Sequence, residues 1–220
     1  DYTNYVLHDI GQPLHAFDRD KLFGTISVRN AKEDEELITL DNQKRALDKT
    51  DLIITDNNNP IALAGVMGGF DTEVTADTKN LLIESAYFDK VSIMKTSRKL
   101  NLISDASIRF ERGIDYDIQH KGLERFISVF KHDQDINYSE AMISKKNSFS
   151  HENITFEKED IFNILGVELK DDFILKTLSK LQIQSTLADN KISFTSPSWR
   201  YDLERPIDLI EELAKHYGYN

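Results

Sequence analysis

The sequence predicts an α+β protein in two parts, a larger mixed-sheet domain followed by a small α+β domain. Three observations carry that expectation. Short apolar runs of strand length recur without repeating, at residues 52–56, 61–64 and 80–87. Two segments, 91–100 and 118–130, place apolar residues at helical spacing instead, so the first part mixes both periods. A polar stretch without periodicity, 144–150, then separates residues 1–143 from residues 151–220, which read strand, helix, helix, strand, strand, helix.

Residues 1–20 read as a loop and a short helix, with Pro13 fixing its own φ just before Leu14-His15-Ala16-Phe17. Residues 25–29 alternate with period two, as a strand does. Residues 35–40 lead into the turn signal Asp41-Asn42, and the strand at 52–56 closes on the loop Asn57-Asn58-Asn59-Pro60. Residues 61–64 feed Leu63-Ala64-Gly65-Val66-Met67-Gly68-Gly69-Phe70, where three glycines fall within five positions. A backbone without Cβ can approach a ligand closely, although the stretch taken alone is a tight turn between two strands. Glu84 interrupts the apolar strand at 80–87, and Arg98-Lys99 gives the helix at 91–100 the basic end that a C-terminus favours. Ser104-Asp105-Ala106-Ser107 reads as a second small-residue loop, and 118–130 as a helix with Ile118, Phe126, Ile127 and Phe130 on its apolar side. In the second part, helices are expected at 160–165, ended by Gly166, and at 172–181. A hairpin turns around Asp189-Asn190, and a last helix starts at Pro206, where proline suits the first turn.

The chain has 220 residues, 40% hydrophobic and 30% charged, an ordinary globular balance. It holds no cysteine, which excludes disulfides and thiolate metal sites and agrees with a cytoplasmic location. No apolar run is long enough to span a bilayer, so no membrane partner is expected. A net charge of −11 makes the surface as a whole a poor trap for nucleic acid, which is held through phosphate neutralisation. Lys145, Lys146 and the other scattered bases form no stripe and read as solvated surface. The start at Asp1 reads as a fragment of a longer polypeptide.

Four segments are expected to line one pocket: the histidine segment Gly11-Gln12-Pro13-Leu14-His15-Ala16-Phe17-Asp18, the glycine loop, the strand with Glu84, and the 104–107 loop. Each has a plainer reading. His15 is equally a histidine hydrogen-bonded to backbone near a helix start, and Glu84 a charge on the outer face of an edge strand. Asp208, Glu211 and Glu212 stand at i, i+3 and i+4, on one helical face, with Asp202 upstream. Grouped carboxylates suit Mg²⁺, but acids in the first turns of a helix also complement its dipole.

These motifs, with Asp105 to Asp115, Pro197-Ser198-Trp199-Arg200-Tyr201-Asp202 and the closing Tyr217-Gly218-Tyr219-Asn220, resemble the bacterial phenylalanyl-tRNA synthetase beta subunit over nearly the whole chain. Residues 1–143 resemble its B3/B4 editing domain and residues 151–220 its B5 domain. The resemblance implies hydrolysis of tyrosine wrongly esterified to tRNA(Phe) in the first domain. It carries His15 and Glu84 over as catalytic positions and Gly68, Ser104 and Ala106 as pocket positions, with Thr3 and Asn4 as wall residues. At Ser104 some members carry threonine; the hydroxyl survives and one methyl is lost. In this reading Glu84 selects tyrosine by accepting its hydroxyl, His15 orients water, the N–H groups of Gly68 and Gly69 are candidate donors to the ester carbonyl, and Ala106 leaves room for the ring.

The same resemblance implies Mg²⁺ at Asp202, Asp208, Glu211 and Glu212, shared with the alpha subunit. It further implies a heterotetramer of two alpha and two beta subunits, tRNA(Phe) as partner, and ligation of phenylalanine with ATP in the alpha subunit. Two alternatives stand beside it: a non-catalytic module binding tRNA or a partner subunit through a vestigial pocket, and a free-standing hydrolase of another small ligand.

Overall fold

The structure, a computed structural model, describes residues 1–57, 59–144 and 153–218. It divides into two compact units, Asp1–Glu140 and Ala141–Asn220. The expected polar boundary lies from residue 145 onward outside the described residues, as do Lys145, Lys146, Tyr219 and Asn220.

The first unit opens with helix α1 (Tyr2–Ile10). The Asp1 carboxylate accepts the Thr3 N–H at 3.0 Å at its start, and Gly11 ends it in the left-handed region at φ 80°. The strands are β1 (Leu14–Asp18), β2 (Ile26–Asn30), β3 (Glu36–Ile38), β4 (Lys44–Ala46), β5 (Leu52–Asp56), β6 (Asn59–Leu63), β7 (Met67–Gly68) and β8 (Leu81–Ser85). Helices α2 (Lys90–Leu100), α3 (Asp105–Arg112) and α4 (Gln119–Asp133) follow. The strands pair antiparallel in three sheets, β2-β5-β6-β7, β3-β4 and β1-β8. Pro60 can give no N–H to the ladder, and the β5–β6 register shifts between Ile54 and Thr55 beside it. One core of Phe17, Ile53, Leu63, Phe88, Ile93 and Phe110, among others, joins the sheets to α2 and α3.

Two expectations are corrected. Residues 14–18 form a strand, since β1 is extended by pairing with β8, a partner more than sixty residues away that no local pattern shows. Residues 104–107 are the cap and first turn of a helix. The Ser104 hydroxyl accepts the Ser107 N–H at 3.1 Å, and the Ser107 hydroxyl lies 2.9 Å from the Ser104 nitrogen, so each serine satisfies the other's backbone.

The second unit consists of β9 (Asn153–Glu157), α5 (Glu159–Leu165), α6 (Asp171–Lys180), β10 (Gln184–Ala188), β11 (Lys191–Thr195) and α7 (Pro206–Tyr217), in the order the sequence predicts. Its three strands form one antiparallel sheet, β10-β11-β9. Asp189 and Asn190 both have positive φ, 49° and 63°, as the tight β10–β11 turn requires. Ile174, Leu178, Ile192, Phe194, Leu209 and Leu213 form its core. No described helix is long and apolar enough to cross a membrane.

Candidate functional site

His15 lies on β1 directly opposite Glu84 on β8. Paired residues of an antiparallel ladder project from the same face, so imidazole and carboxyl share one side of this sheet. The β6–β7 turn brings Gly68 against the imidazole. A Cβ on Gly68 would stand 2.5 Å from His15 Nε2, so only glycine leaves room for the ring. On its other edge the ring meets Phe17 at 4.4 Å between centroids, nearly perpendicular.

These residues enclose a cavity of about 60 Å³, lined by His15, Glu84, Gly68 and Ala106. Pro13, Leu14, Leu63, Val66, Met67 and Phe110 add apolar walls. An engineered cavity of about 150 Å³ takes up benzene, so a phenol ring enters this one only as a lining side chain gives way. Leu14 and Met67, both half-buried, are the adjustable walls, and methionine has three rotatable bonds for the purpose.

The enclosure sets the charge states. Burial lowers the His15 pKa to about 4, so the imidazole is neutral at pH 7. Burial raises the Glu84 pKa to about 7, so the acid there exchanges its proton near neutrality. Neither side chain has a hydrogen-bond partner among the described residues, and no opposing charge contributes to either shift. The site therefore presents a donor-acceptor imidazole and a carboxyl with free lone pairs to whatever enters.

The other pocket candidates divide. Ala106 lines the cavity from the first turn of α3. Ser104 stands one layer behind, its hydroxyl donating to the Val66 carbonyl at 2.7 Å and so fastening the glycine loop to α3. Thr3 and Asn4 are not among the lining residues: Thr3 bonds to Asp1, and Asn4 is exposed on α1. The Gly69 N–H already donates to the Ile61 carbonyl at 2.8 Å and is not available to a substrate. Phe110 escaped the sequence reading because α3 was expected as a loop; its i+4 spacing from Ala106 is the signal that a helix there would have supplied.

The four acids of the second unit do not come together as a metal centre. No cluster of three metal-ligating side chains occurs among the described residues. Asp202 is held bidentately by Arg200 at 2.7 and 2.8 Å, and Glu212 receives Arg200 at 3.0 Å and Lys215 at 3.1 Å. Glu211 also pairs with Lys215, at 2.8 Å, while Asp208 binds Arg205 at 2.9 Å and accepts the Arg205 N–H at 2.8 Å. The Arg200 hydrogen bonds hold the Asp202 carboxyl below its usual pKa, and those from Arg205 do the same for Asp208. At Glu212 burial works upward, but the bonds from Lys215 and Arg200 outweigh it and the pKa is lowered. The helical spacing is present, yet Arg200, Arg205 and Lys215 supply the positive charge that Mg²⁺ would have supplied. Each of the four acids is thus engaged by at least one of Arg200, Arg205 and Lys215.

Residues 1–133 match the family model of the B3/4 domain, and residues 154–219 that of the tRNA synthetase B5 domain. The whole chain aligns with proteins named phenylalanine--tRNA ligase beta subunit. It is 38% identical over 225 residues to that of Photorhabdus laumondii, covering 28% of that protein. It is 40% identical over 229 residues to that of Bifidobacterium longum, covering 26%, and 40% over 222 residues to that of Lactiplantibacillus plantarum, covering 28%. The chain thus spans less than a third of the length of these relatives. A solved N-terminal fragment of the phenylalanyl-tRNA synthetase beta-subunit from Pyrococcus horikoshii aligns over 99% of this chain and 64% of that one at 16% identity, with a TM-score of 0.48, a likeness too loose to carry an argument. By the match over its first 133 residues and the B5 domain that follows, the chain belongs to the phenylalanine--tRNA ligase beta subunit family, as a piece bearing the B3/4 and B5 domains.

Proposed function

We propose that the first unit edits: within the whole enzyme it hydrolyses tyrosine wrongly esterified to tRNA(Phe). The observation that supports this reading most is Glu84, a desolvated carboxyl without a partner, facing a neutral His15 over the close-packed Gly68. An entering tyrosine offers its hydroxyl to that carboxyl, and donation to the ionised form draws the proton off Glu84. Phenylalanine leaves the same group buried and unpaired, at about 1–3 kcal/mol. A purely apolar synthetic pocket rejects an isostere with an added hydroxyl by only about 10²-fold, which is the deficit a second, hydroxyl-demanding site makes good. The neutral imidazole of His15 orients the water that adds to the ester carbonyl. The bond to the ribose oxygen then breaks, releasing tyrosine and free tRNA.

In the whole protein this unit acts beside an alpha subunit, in a cytoplasmic heterotetramer of two alpha and two beta subunits that ligates phenylalanine to tRNA(Phe) with ATP. Magnesium belongs to that assembly, and no step in this chain is routed through it.

Deacylation of Tyr-tRNA(Phe) by the complete two-subunit enzyme tests the reading. Glu84→Ala is expected to leave mischarged tRNA intact, while phenylalanine ligation stays at the wild-type rate. Unchanged deacylation removes Glu84 from the role. The cavity volume of about 60 Å³ favours one other reading, a non-catalytic module whose pocket is vestigial. Deacylation that is absent from the wild-type enzyme decides for that reading.

A further inference from the structure

Gln12 is completely buried, and none of the pocket chemistry above uses it. Its side-chain nitrogen donates to the Pro13 carbonyl at 2.9 Å and to the Ala86 carbonyl at 3.0 Å. These carbonyls adjoin the ends of the two strands that carry His15 and Glu84, one step past the Leu14–Ser85 rung. A continued ladder would have a backbone donor there, but Pro13 has none. One side-chain amide therefore supplies donors to both strands at the place where the ladder fails. This matters because, among the described residues, β1 and β8 form a sheet of two strands, with no third strand to hold their separation.

Helix α4 braces the arrangement from behind. A Cβ on Gly122 would stand 2.7 Å from Gln12 Cγ, so the helix is packed directly against this side chain. The Ser85 hydroxyl donates to the Gln119 carbonyl at 2.8 Å, tying the end of β8 to the same helix.

We propose that Gln12 is a positioning residue: it sets the separation of His15 and Glu84, and through it the preference of the site for a hydroxylated ring. The inference rests on the editing reading above. Removing the amide takes its donor from one buried and one half-buried carbonyl, and the strand ends part to hydrate them. Water then reaches Glu84. Its titration moves from about 7 back toward the ordinary carboxylate range, since burial holds it up and, among the described residues, His15 is the one other titratable group lining the cavity.

The test is deacylation of Tyr-tRNA(Phe) by the complete two-subunit enzyme across the pH range, for Gln12→Leu, Gly122→Ala and Glu84→Ala. Gln12→Leu should lower kcat roughly tenfold to a hundredfold with little change in KM. It should also move the pH dependence to lower pH and shrink the preference for tyrosyl over phenylalanyl ester. Gly122→Ala keeps the amide but pushes it, and should change the same quantities in the same direction by less. A loss of rate with an unmoved pH profile and unchanged preference overturns the proposal, because general loosening of the fold would do that. Wild-type behaviour of Gln12→Leu beside an inactive Glu84→Ala overturns the positioning role alone. Wild-type behaviour of Glu84→Ala overturns the editing reading and the positioning role with it.

Discussion

His15 and Glu84 occupy one rung of the β1–β8 ladder, yet each is shifted by burial and neither by the other. A protonated imidazole beside an ionised acid would have shown the opposite signs, histidine raised and acid lowered. The pair is therefore two neutral-leaning groups held in a dry space, not an ion pair, and it leaves a signature in stability.

For Glu84 the folded pKa, about 7, lies above the ordinary 4.5, so the folded chain binds this proton more tightly than the unfolded one. The penalty is absent below the lower value and grows as pH rises to about 7, reaching about 3 kcal/mol. For His15 the folded pKa, about 4, lies below 6.5, so stability is lost as pH falls through that window. Glu84→Gln removes the first effect and keeps the second. Thermal melts of variant and wild type should coincide below about pH 4, separate as pH rises through the window from 4.5 to about 7, and differ most above it, with the variant the more stable. A gap of equal size at every pH would show that Glu84 is not titrating in the fold.

Gly68 is required for space: its backbone does not sit in the left-handed region, but its missing Cβ is where the imidazole lies. Gly68→Ala should displace His15, lower deacylation at least roughly tenfold and cost about 1–3 kcal/mol of stability. Deacylation and melting of the same preparation check both. Retention of full activity would mean that His15 does not need its observed place.

Ser104 caps α3 and fastens the glycine loop with one hydroxyl. Ser104→Ala should cost about 1–2 kcal/mol in denaturant unfolding, whereas Ser104→Thr, which keeps the hydroxyl, should stay close to wild type. Equal loss in both variants would refute the hydroxyl as the cause.

Arg200 bridges Asp202 and Glu212, with 20% of its side chain exposed against 12% for Glu212. Melting of this chain should be the same in excess Mg²⁺ and in EDTA, because the acids are already neutralised. Arg200→Met should lower stability by about 1–3 kcal/mol. A Mg²⁺-dependent rise in the wild-type melting temperature would show that the carboxylates release their arginine for a metal ion.

The α+β class, the order of elements in the second unit and the Asp189-Asn190 turn were legible because each rests on local signals: hydrophobic period, capping chemistry and positive-φ residues. The glycine loop, His15 and Glu84 were legible as a set of unusual residues, since an acid in an apolar run and three close glycines are costly unless something compensates. What failed was non-local. Strand β1 is extended by β8, and its five residues carry no alternation of their own. The 104–107 stretch looked like a loop because its two serines cap a helix whose apolar residues, Ala106 and Phe110, point at another element.

By itself the sequence determined which residues are scarce and expensive: the lone acid in an apolar run, the histidine, the glycines and the grouped carboxylates of α7. Only the tertiary structure decided what each of them meets. It put Glu84 across from His15 without bonding them and spent the Gly69 N–H on Ile61. It gave Asp202, Asp208 and Glu212 arginine and lysine partners, and set Gln12 where Pro13 could not donate. The physical reason is that spacing along a chain fixes which side chains share a face. Desolvation and pairing depend on neighbours brought in from elsewhere, and those two decide whether a charged group is a ligand, a selector or a counter-ion.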